Sequence, residues 1–256
     1  LLIFFIYKKY KFSISLKDFI LIIFIGIIGN IIPFVLINWS EQYIQSNTTA
    51  LLLSVAPIFT LILSPFLTKD DKFSFLKFFS ISVGFIGVIL IIGFETLLNL
   101  SSNESNLIPK ISVILAALGY VISSILAYYL KHISTIVLTT FVISAAAIIS
   151  IPFMIFSEII NTSSFNQISI FAIIYLGLFP TAIAFQLRFY IISKAGPIFL
   201  SYVAYLIPVF AIIWSYIFLK ETINLTTLIG TLLVLLGVFI GQGNSVEKIS
   251  NKSISN

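Results

Sequence analysis

Cysteine is absent from the sequence, and histidine and methionine occur once each. The absence of cysteine excludes disulfide bonds, thiolate nucleophiles and thiolate metal ligands. A single histidine leaves no cluster of ligands for a transition metal. No pair of acidic side chains lies inside an apolar run of the sequence either. We therefore expect no enzymatic activity, no metal site and no cofactor.

Charged residues are also scarce, at 9% of the chain, whereas hydrophobic residues make up 59% and the mean hydropathy is +1.16. A soluble domain of 256 residues needs far more charged surface, so the composition indicates an integral membrane protein whose main partner is the lipid bilayer. The formal net charge of +5 does not indicate nucleic-acid binding here, because loops on the cytoplasmic side of a membrane protein are rich in lysine and arginine.

Eight apolar runs are each about long enough to cross a bilayer as a helix. They are apolar at both odd and even positions, whereas strands of a membrane barrel alternate. The sequence therefore predicts an all-α membrane protein. A shorter run, LLIFFIY at residues 1–7, is expected to be the end of a helix that begins upstream, so that the chain is an N-terminally truncated fragment. The eight predicted spans are residues 19–39, 48–67, 73–94, 111–130, 133–156, 168–192, 199–219 and 225–240.

The sequence contains an internal repeat. A shift of 151 residues places Gly26 on Gly177, Phe34 on Phe185 and Pro57 on Pro208, and a shift of 150 places Gly87 on Gly237. Matched spans are five helices apart, so the two copies are expected to cross the membrane in opposite directions, as in inverted-repeat transporters. Two complete copies would make ten helices.

The basic residues predict the orientation. Of the 14 lysines and arginines, only Lys110 and Lys220 belong to one set of alternate loops and adjoining helix ends. Lysine and arginine are concentrated on the cytoplasmic side. The larger set, which includes the tail, is therefore expected to be cytoplasmic.

Four stretches resemble the EamA family of the drug/metabolite transporter superfamily. They are WSEQYIQSNTTALLLSVAPIFTLIL from Trp39, the acidic turn TKDDKFS followed by VGFIGVILI, the late copy GPIFLSYVAYLIPVFAIIWSYIFLKETI, and IGTLLVLLGV. Asp71 and Ser80 stand where the family commonly has Glu and Gly. The resemblance implies a ten-helix exporter of small organic metabolites, such as amino acids, in a bacterial plasma membrane. It divides the chain into residues 1–98 of the first repeat, a linker at 99–109, a second repeat at 110–243 and a disordered tail at 244–256.

The candidate site residues are polar, aromatic or helix-bending side chains at membrane depth. Pro57 and Pro208 each free a backbone carbonyl, which favours a pair of bent helices lining a cavity over simple packing kinks. Arg188 is the one charge inside a predicted span; it either reaches back to the cytoplasmic end of its helix or binds an anionic group of a substrate. The predicted cavity wall comprises Asn38, Pro57, Gln186, Arg188, Tyr202, Tyr205, Pro208 and Trp214, and the predicted gate or coupling residues are Glu41 and Gln42.

Small residues on the last helix of each repeat form a second pattern: Gly84, Gly87, Gly230, Gly237 and Gly241. Small residues let the backbones of membrane helices approach closely, so these glycines are expected to be structural.

The expected function is transport of small organic solutes by alternating access of the two repeats. The alternative is a structural or partner-binding membrane subunit that does not transport. Homodimer formation is left open.

Overall fold

The computed structural model describes residues 14–68, 73–94, 107–156, 167–214, 217 and 224–254. Every regular element in these ranges is a helix, in agreement with the predicted all-α class. The run at residues 1–7 and residues 99–106 of the predicted linker lie outside the described residues, and residues 107–109 belong to a helix.

The first repeat contributes five α-helices and one π-helical segment. The first span is a continuous helix with a π-helical turn at its centre, and the second is broken near its middle. Their bounds are α1 Leu16–Gly26, π1 Ile27–Ile31, α2 Ile32–Ser40, α3 Ser46–Leu53, α4 Ala56–Leu67 and α5 Phe75–Ile92.

The second repeat begins with two long helices and then follows the same plan. Gly196 separates its third and fourth spans in a left-handed conformation (φ 90°), and Pro197 begins the next helix. The bounds are α6 Leu107–Tyr129, α7 Thr135–Phe156, α8 Gln167–Leu176, π2 Gly177–Ile183, α9 Ala184–Ala195, α10 Pro197–Ser201, α11 Val203–Trp214 and α12 Leu225–Ile254.

Six of these helical spans are long and apolar enough to cross a membrane, and two further apolar helices, Pro197–Phe210 and Leu225–Gly241, are shorter. Large apolar side chains point outward: Phe66 is 85% exposed and Phe239 is 76% exposed. Such surfaces would be a liability in water and are suited to lipid. The eight predicted spans therefore all coincide with apolar helices, six of them of full spanning length.

Helix α6 occupies the centre of the bundle. It packs against α1, π1, α2, α3 and α4 of the first repeat and against α9 and α10 of its own repeat. One face of α6 is made of small residues, among them Ala116, Gly119 and Ser123, all of which are buried. A Cβ atom at position 119 would lie 2.8 Å from the carbonyl oxygen of Ile28. The small face therefore lets the first repeat approach the backbone of α6 directly.

The two π-helical segments occupy equivalent positions in the two repeats. A shift of 151 residues moves π1, Ile27–Ile31, onto residues 178–182, which lie within π2, Gly177–Ile183. π-helical turns inside α-helices are rare and are frequent at functional sites. The two repeats therefore share an uncommon backbone conformation as well as matching residues.

Helices α5 and α12, the last helices of the two repeats, pack closely along their length. A Cβ atom at Gly87 would meet the Gly230 carbonyl oxygen at 2.7 Å, and one at Gly237 would meet the Ser80 carbonyl oxygen at 2.6 Å. As residue numbers fall along α5 they rise along α12, so these equivalent helices run antiparallel. The expectation that the glycines permit close packing is confirmed, and the antiparallel direction agrees with inverted repeats.

The helices that carry Pro57 and Pro208 are both interrupted on the N-terminal side of the proline. In the first repeat the break falls at Ser54 and Val55, so Pro57 occupies the first turn of α4, where a missing N–H is tolerated. In the second repeat the break falls at Tyr202, and Pro208 lies inside α11. The predicted bends are present, but Pro57 follows its bend instead of lying within it.

Helical backbone extends into the segment predicted as a disordered tail. Helix α12 begins at Leu225 and continues to Ile254, eleven residues into the segment expected to be disordered. No proline follows Pro208 in the sequence. A helix that is already nucleated therefore extends with one further hydrogen bond for each residue added.

The contact between α5 and α12 generates a stability prediction. Gly87→Ala places a methyl group 2.7 Å from both the Gly230 carbonyl oxygen and the Val234 nitrogen. Because both neighbours are backbone atoms, the helices must separate. We expect a loss of about 1–3 kcal/mol, measured as a lower melting temperature of the purified protein in detergent.

Gly177→Ala is the matched control, because nothing lies within 4 Å of a Cβ atom at that position. This substitution is expected to leave the melting temperature unchanged or to raise it, since alanine favours helices more than glycine does. An equal loss in both variants would contradict the close contact at Gly87.

Candidate functional site at a buried arginine

Arg188 lies on α9, seven residues before the end of the helix at Ala195. Its side chain does not extend to that end. The guanidinium instead contacts Gly29 and Tyr120, which lie near the midpoints of the spans Leu16–Ser40 and Leu107–Tyr129. Arginine side chains on helices point back toward the helix N-terminus, which here is toward the centre of the bundle. The structure thus holds a positive charge near the middle of the membrane.

The guanidinium is held by hydrogen bonds to neutral oxygen atoms. Nη2 donates to the Tyr120 carbonyl oxygen at 3.0 Å, to the Ser124 hydroxyl at 2.9 Å and to the Ser123 hydroxyl. Nη1 donates to the Gly29 carbonyl oxygen at 3.4 Å, which is a long bond. The arginine therefore connects α9 to α6 and to π1, and so links the second repeat to the first.

The two serines are oriented by the same carbonyl group. Ser123 and Ser124 both donate their hydroxyl protons to the Tyr120 carbonyl oxygen, at 2.9 and 2.7 Å. Their oxygen atoms are then free to accept bonds from Arg188. Tyr120, Ser123 and Ser124 are spaced i, i+3 and i+4, so they share one face of α6. The local helical geometry thus builds a compact set of acceptors.

Aromatic rings complete the surroundings of the charge. The guanidinium carbon lies 5.3 Å from the ring centre of Phe185, 5.6 Å from that of Tyr120 and 5.9 Å from that of Phe189. A cation within about 6 Å of an aromatic face is attracted to the electrons of the ring. These contacts stabilise the charge but do not neutralise it.

Gly29 makes this arrangement possible. It is buried in π1, and a Cβ atom at this position would overlap the side chain of Ser123. Any larger residue would push π1 away from α6 and separate the Gly29 carbonyl group from Arg188.

The tyrosines of the predicted cavity wall lie in a separate cluster. Tyr205 is 0% exposed and donates a hydrogen bond from its hydroxyl to the Ile81 carbonyl oxygen at 3.0 Å. Tyr202 is 3% exposed, and its hydroxyl is 2.7 Å from that of Ser80. The Tyr205 ring also fills the space beside Gly84. In this conformation both tyrosines attach the broken helix of the second repeat to α5.

The other predicted site residues occupy several places. Gln186 donates a hydrogen bond to the Thr135 hydroxyl at 2.9 Å, and its carbonyl oxygen is buried without a hydrogen-bond partner in the described part of the chain. Asn38, Glu41 and Gln42 are exposed at one end of the first span. Pro57 and Pro208 are buried, and the side chain of Trp214 lies outside the described residues. The described members of the predicted set therefore lie in separate places in this conformation.

The family follows from a comparison of the whole chain with protein-family models. The model of the EamA-like transporter family matches residues 1–93 and 108–241, which cover most of both repeats. The match includes the Arg188 cluster, that is, Arg188 and its hydrogen-bond partners Gly29, Tyr120, Ser123 and Ser124. The chain belongs to the EamA-like transporter family. Its place in a membrane and its relation to transporters are thereby established.

Relatives of this EamA protein bear transporter names. It is 25% identical to the uncharacterized transporter YoaV of Bacillus subtilis over 93% of this chain and 80% of the relative. It is 28% identical to an uncharacterized transporter of Archaeoglobus fulgidus over 89% of this chain and 79% of the relative. One solved crystal structure superposes with a TM-score of 0.77 and 13% sequence identity, covering 95% of this chain and 83% of the other. That last likeness supports the fold.

Four residues of the Arg188 cluster in this EamA protein were not among the predicted site residues: Gly29, Tyr120, Ser123 and Ser124. The spacing of Tyr120, Ser123 and Ser124 on one helical face was a usable signal. Nothing in the sequence connects that face to Arg188, which lies 64 residues or more further along the chain.

The tyrosine cluster generates a second stability prediction. Tyr205→Phe removes the hydroxyl that bonds to the Ile81 carbonyl oxygen and keeps the ring that packs beside Gly84. We expect a loss of about 0.5–1.5 kcal/mol, measured by thermal unfolding in detergent. Tyr190→Phe, at a tyrosine that is 52% exposed, is the control and is expected to have no effect. A Tyr205→Phe variant as stable as the wild type would indicate that the hydroxyl does not hold α5.

Proposed function

We propose that this EamA protein is a carrier that exports small organic metabolites, such as amino acids, by alternating access of its two inverted repeats. The observation that carries the proposal is the position of Arg188, a charge at mid-membrane depth that joins α9 to π1 and α6. Carriers with inverted repeats bind their substrates near the bilayer midplane, where the repeats meet. The transporter names of its relatives support the general role.

Two contacts join the repeats at one end of the bundle. His132 Nε2, in the turn after α6, lies 3.3 Å from Asp18 Oδ2 at the start of α1. The Tyr129 hydroxyl donates to the Leu67 carbonyl oxygen at the end of α4. Both contacts join the first repeat to the C-terminal end of α6. Alternating access requires these contacts to separate when the central site opens toward this end.

Flux measurements test the transport proposal. Proteoliposomes that contain the purified protein and a mixture of unlabelled amino acids are expected to accumulate labelled amino acid by exchange, whereas protein-free liposomes are not. Separation of the contact between Asp18 and His132 is tested in the same vesicles with the double variant Asp18→Cys/His132→Cys. The chain has no other cysteine. Crosslinking is therefore expected to act at this contact alone, to stop exchange, and to be reversed by a reductant.

Each single-cysteine variant is the control, since neither can form the bridge within one chain. Exchange that continues at full rate after complete crosslinking would show that this end does not open. If the wild type exchanges no solute, the structural or partner-binding role is favoured instead.

The proposed orientation places the C-terminus in the cytoplasm of a bacterial cell. Because Arg188 lies at mid-membrane depth, it is not counted among the loop charges. The remaining basic residues still strongly favour a cytoplasmic location for the side that includes Lys131 and Lys194. A reporter fused after residue 256 is expected to be active in the cytoplasm, and one inserted at residues 99–106 is expected outside. Reporters on the same side would contradict the orientation.

A further inference from the structure

The charge of Arg188 has no anionic partner in the described part of the chain. All of its hydrogen-bond acceptors are carbonyl or hydroxyl oxygens. Asp18 is the one acidic residue inside the spans that could cross the membrane, and it pairs with His132 at one end of the bundle. A cation inside a membrane is costly, and arginines at such positions normally face a partner or a polar cavity. Within the described residues, the charge of Arg188 is therefore balanced only by neutral oxygen atoms and aromatic rings.

The guanidinium retains donors for such a partner. It carries five N–H groups in a fixed plane. The contacts to α6 use Nη2, the contact to Gly29 uses Nη1 at the long distance of 3.4 Å, and Nε donates to no described residue. The neutral acceptors thus fix the position of the guanidinium and leave part of its hydrogen-bonding capacity unused.

The described residues do not fully enclose the guanidinium and its neighbours. Ser123, Ser124 and Phe189 are buried, whereas Arg188 and Tyr120 each keep part of their surface exposed. An incoming molecule would therefore meet a cation beside an aromatic ring. This combination suits a molecule with an anionic group and an apolar body.

The local charge fits a monoanion. Lys194 is six residues from Arg188 on the same helix, which corresponds to about 9 Å along the axis, and Lys110 is ten residues from Tyr120 on α6, about 15 Å away along that axis. A single guanidinium matches one carboxylate, whereas a phosphate dianion generally requires a second cation or several backbone N–H groups. The geometry thus favours a carboxylate over a phosphate.

We propose that Arg188 binds the carboxylate group of the transported metabolite, with Tyr120 contacting the adjacent apolar part and Ser123 and Ser124 positioning the guanidinium. Substrates are then monocarboxylates or zwitterions that carry a carboxylate. That the bound molecule is transported rests on the proposed function, but carboxylate binding at Arg188 can be tested without measuring flux.

The test compares acids with their own amides. Acetate, isovalerate and benzoate, and then acetamide, isovaleramide and benzamide, are titrated into the purified full chain in detergent while its melting temperature is followed. Each pair has nearly the same shape and differs in charge. At least one carboxylate is expected to raise the melting temperature, with an apparent affinity about 10- to 100-fold higher than that of its amide, as for a charge-assisted hydrogen bond. Inorganic phosphate at the same ionic strength is expected to have no such effect.

Variants assign the effect to the arginine. Arg188→Gln is expected to abolish the difference between acid and amide, and Arg188→Lys, which keeps the charge but loses the planar fork, to reduce it. Lys194→Gln is the matched control, because it removes one positive charge from an exposed position of the same helix. It is expected to keep the wild-type preference. If Arg188→Gln does not fold, the Arg188→Lys variant and the acid–amide comparison on the wild type still test whether Arg188 binds the carboxylate.

Several results would overturn the assignment: no stabilisation by any of the carboxylates, equal stabilisation by acids and amides or by phosphate, or an undiminished preference in Arg188→Gln. The two proposals fail separately. Exchange in proteoliposomes without a preference for carboxylates would overturn the carboxylate site and leave transport standing. Carboxylate binding without exchange of any solute would leave the site standing and overturn transport.

Discussion

The centre of the bundle holds one positive charge near the midpoints of its membrane-spanning helices. Placing an arginine at the centre of a membrane helix costs about 3 kcal/mol or more. Here the cost is offset by the oxygens of Tyr120, Ser123 and Ser124 and by aromatic rings. The oxygen partners come from the central helix α6, so the position of Arg188 and the close packing of α6 depend on each other.

Close packing around that charge relies on residues without large side chains. Gly29 and Gly119 let the first repeat approach α6, and Gly87 and Gly230 bring the last helices of the two repeats together. Lipid gives no hydrophobic drive for helices to associate, so contact between backbones has to supply much of the attraction. Antiparallel packing of equivalent helices is the arrangement expected of inverted repeats.

Much of the fold could be predicted because membrane helices are specified locally. Their length and apolar composition mark the spans, and the 151-residue shift marks the repeat. The glycines of α5 and α12 were identified as packing residues for the same reason. Helix α12 continues to Ile254 through the predicted tail, because a polar sequence without apolar periodicity can still extend a helix that is already formed.

Less of the candidate site could be predicted from the sequence. The sequence by itself determined the membrane class, the repeat, the family resemblance and the presence of one charge inside a span, because each depends on composition or spacing along one segment. Only the tertiary structure decided that Arg188 points to Tyr120 and Gly29 and that Tyr205 bonds to α5. Those contacts join residues 68 to 159 positions apart. They depend on how rigid helices cross, which no local pattern specifies.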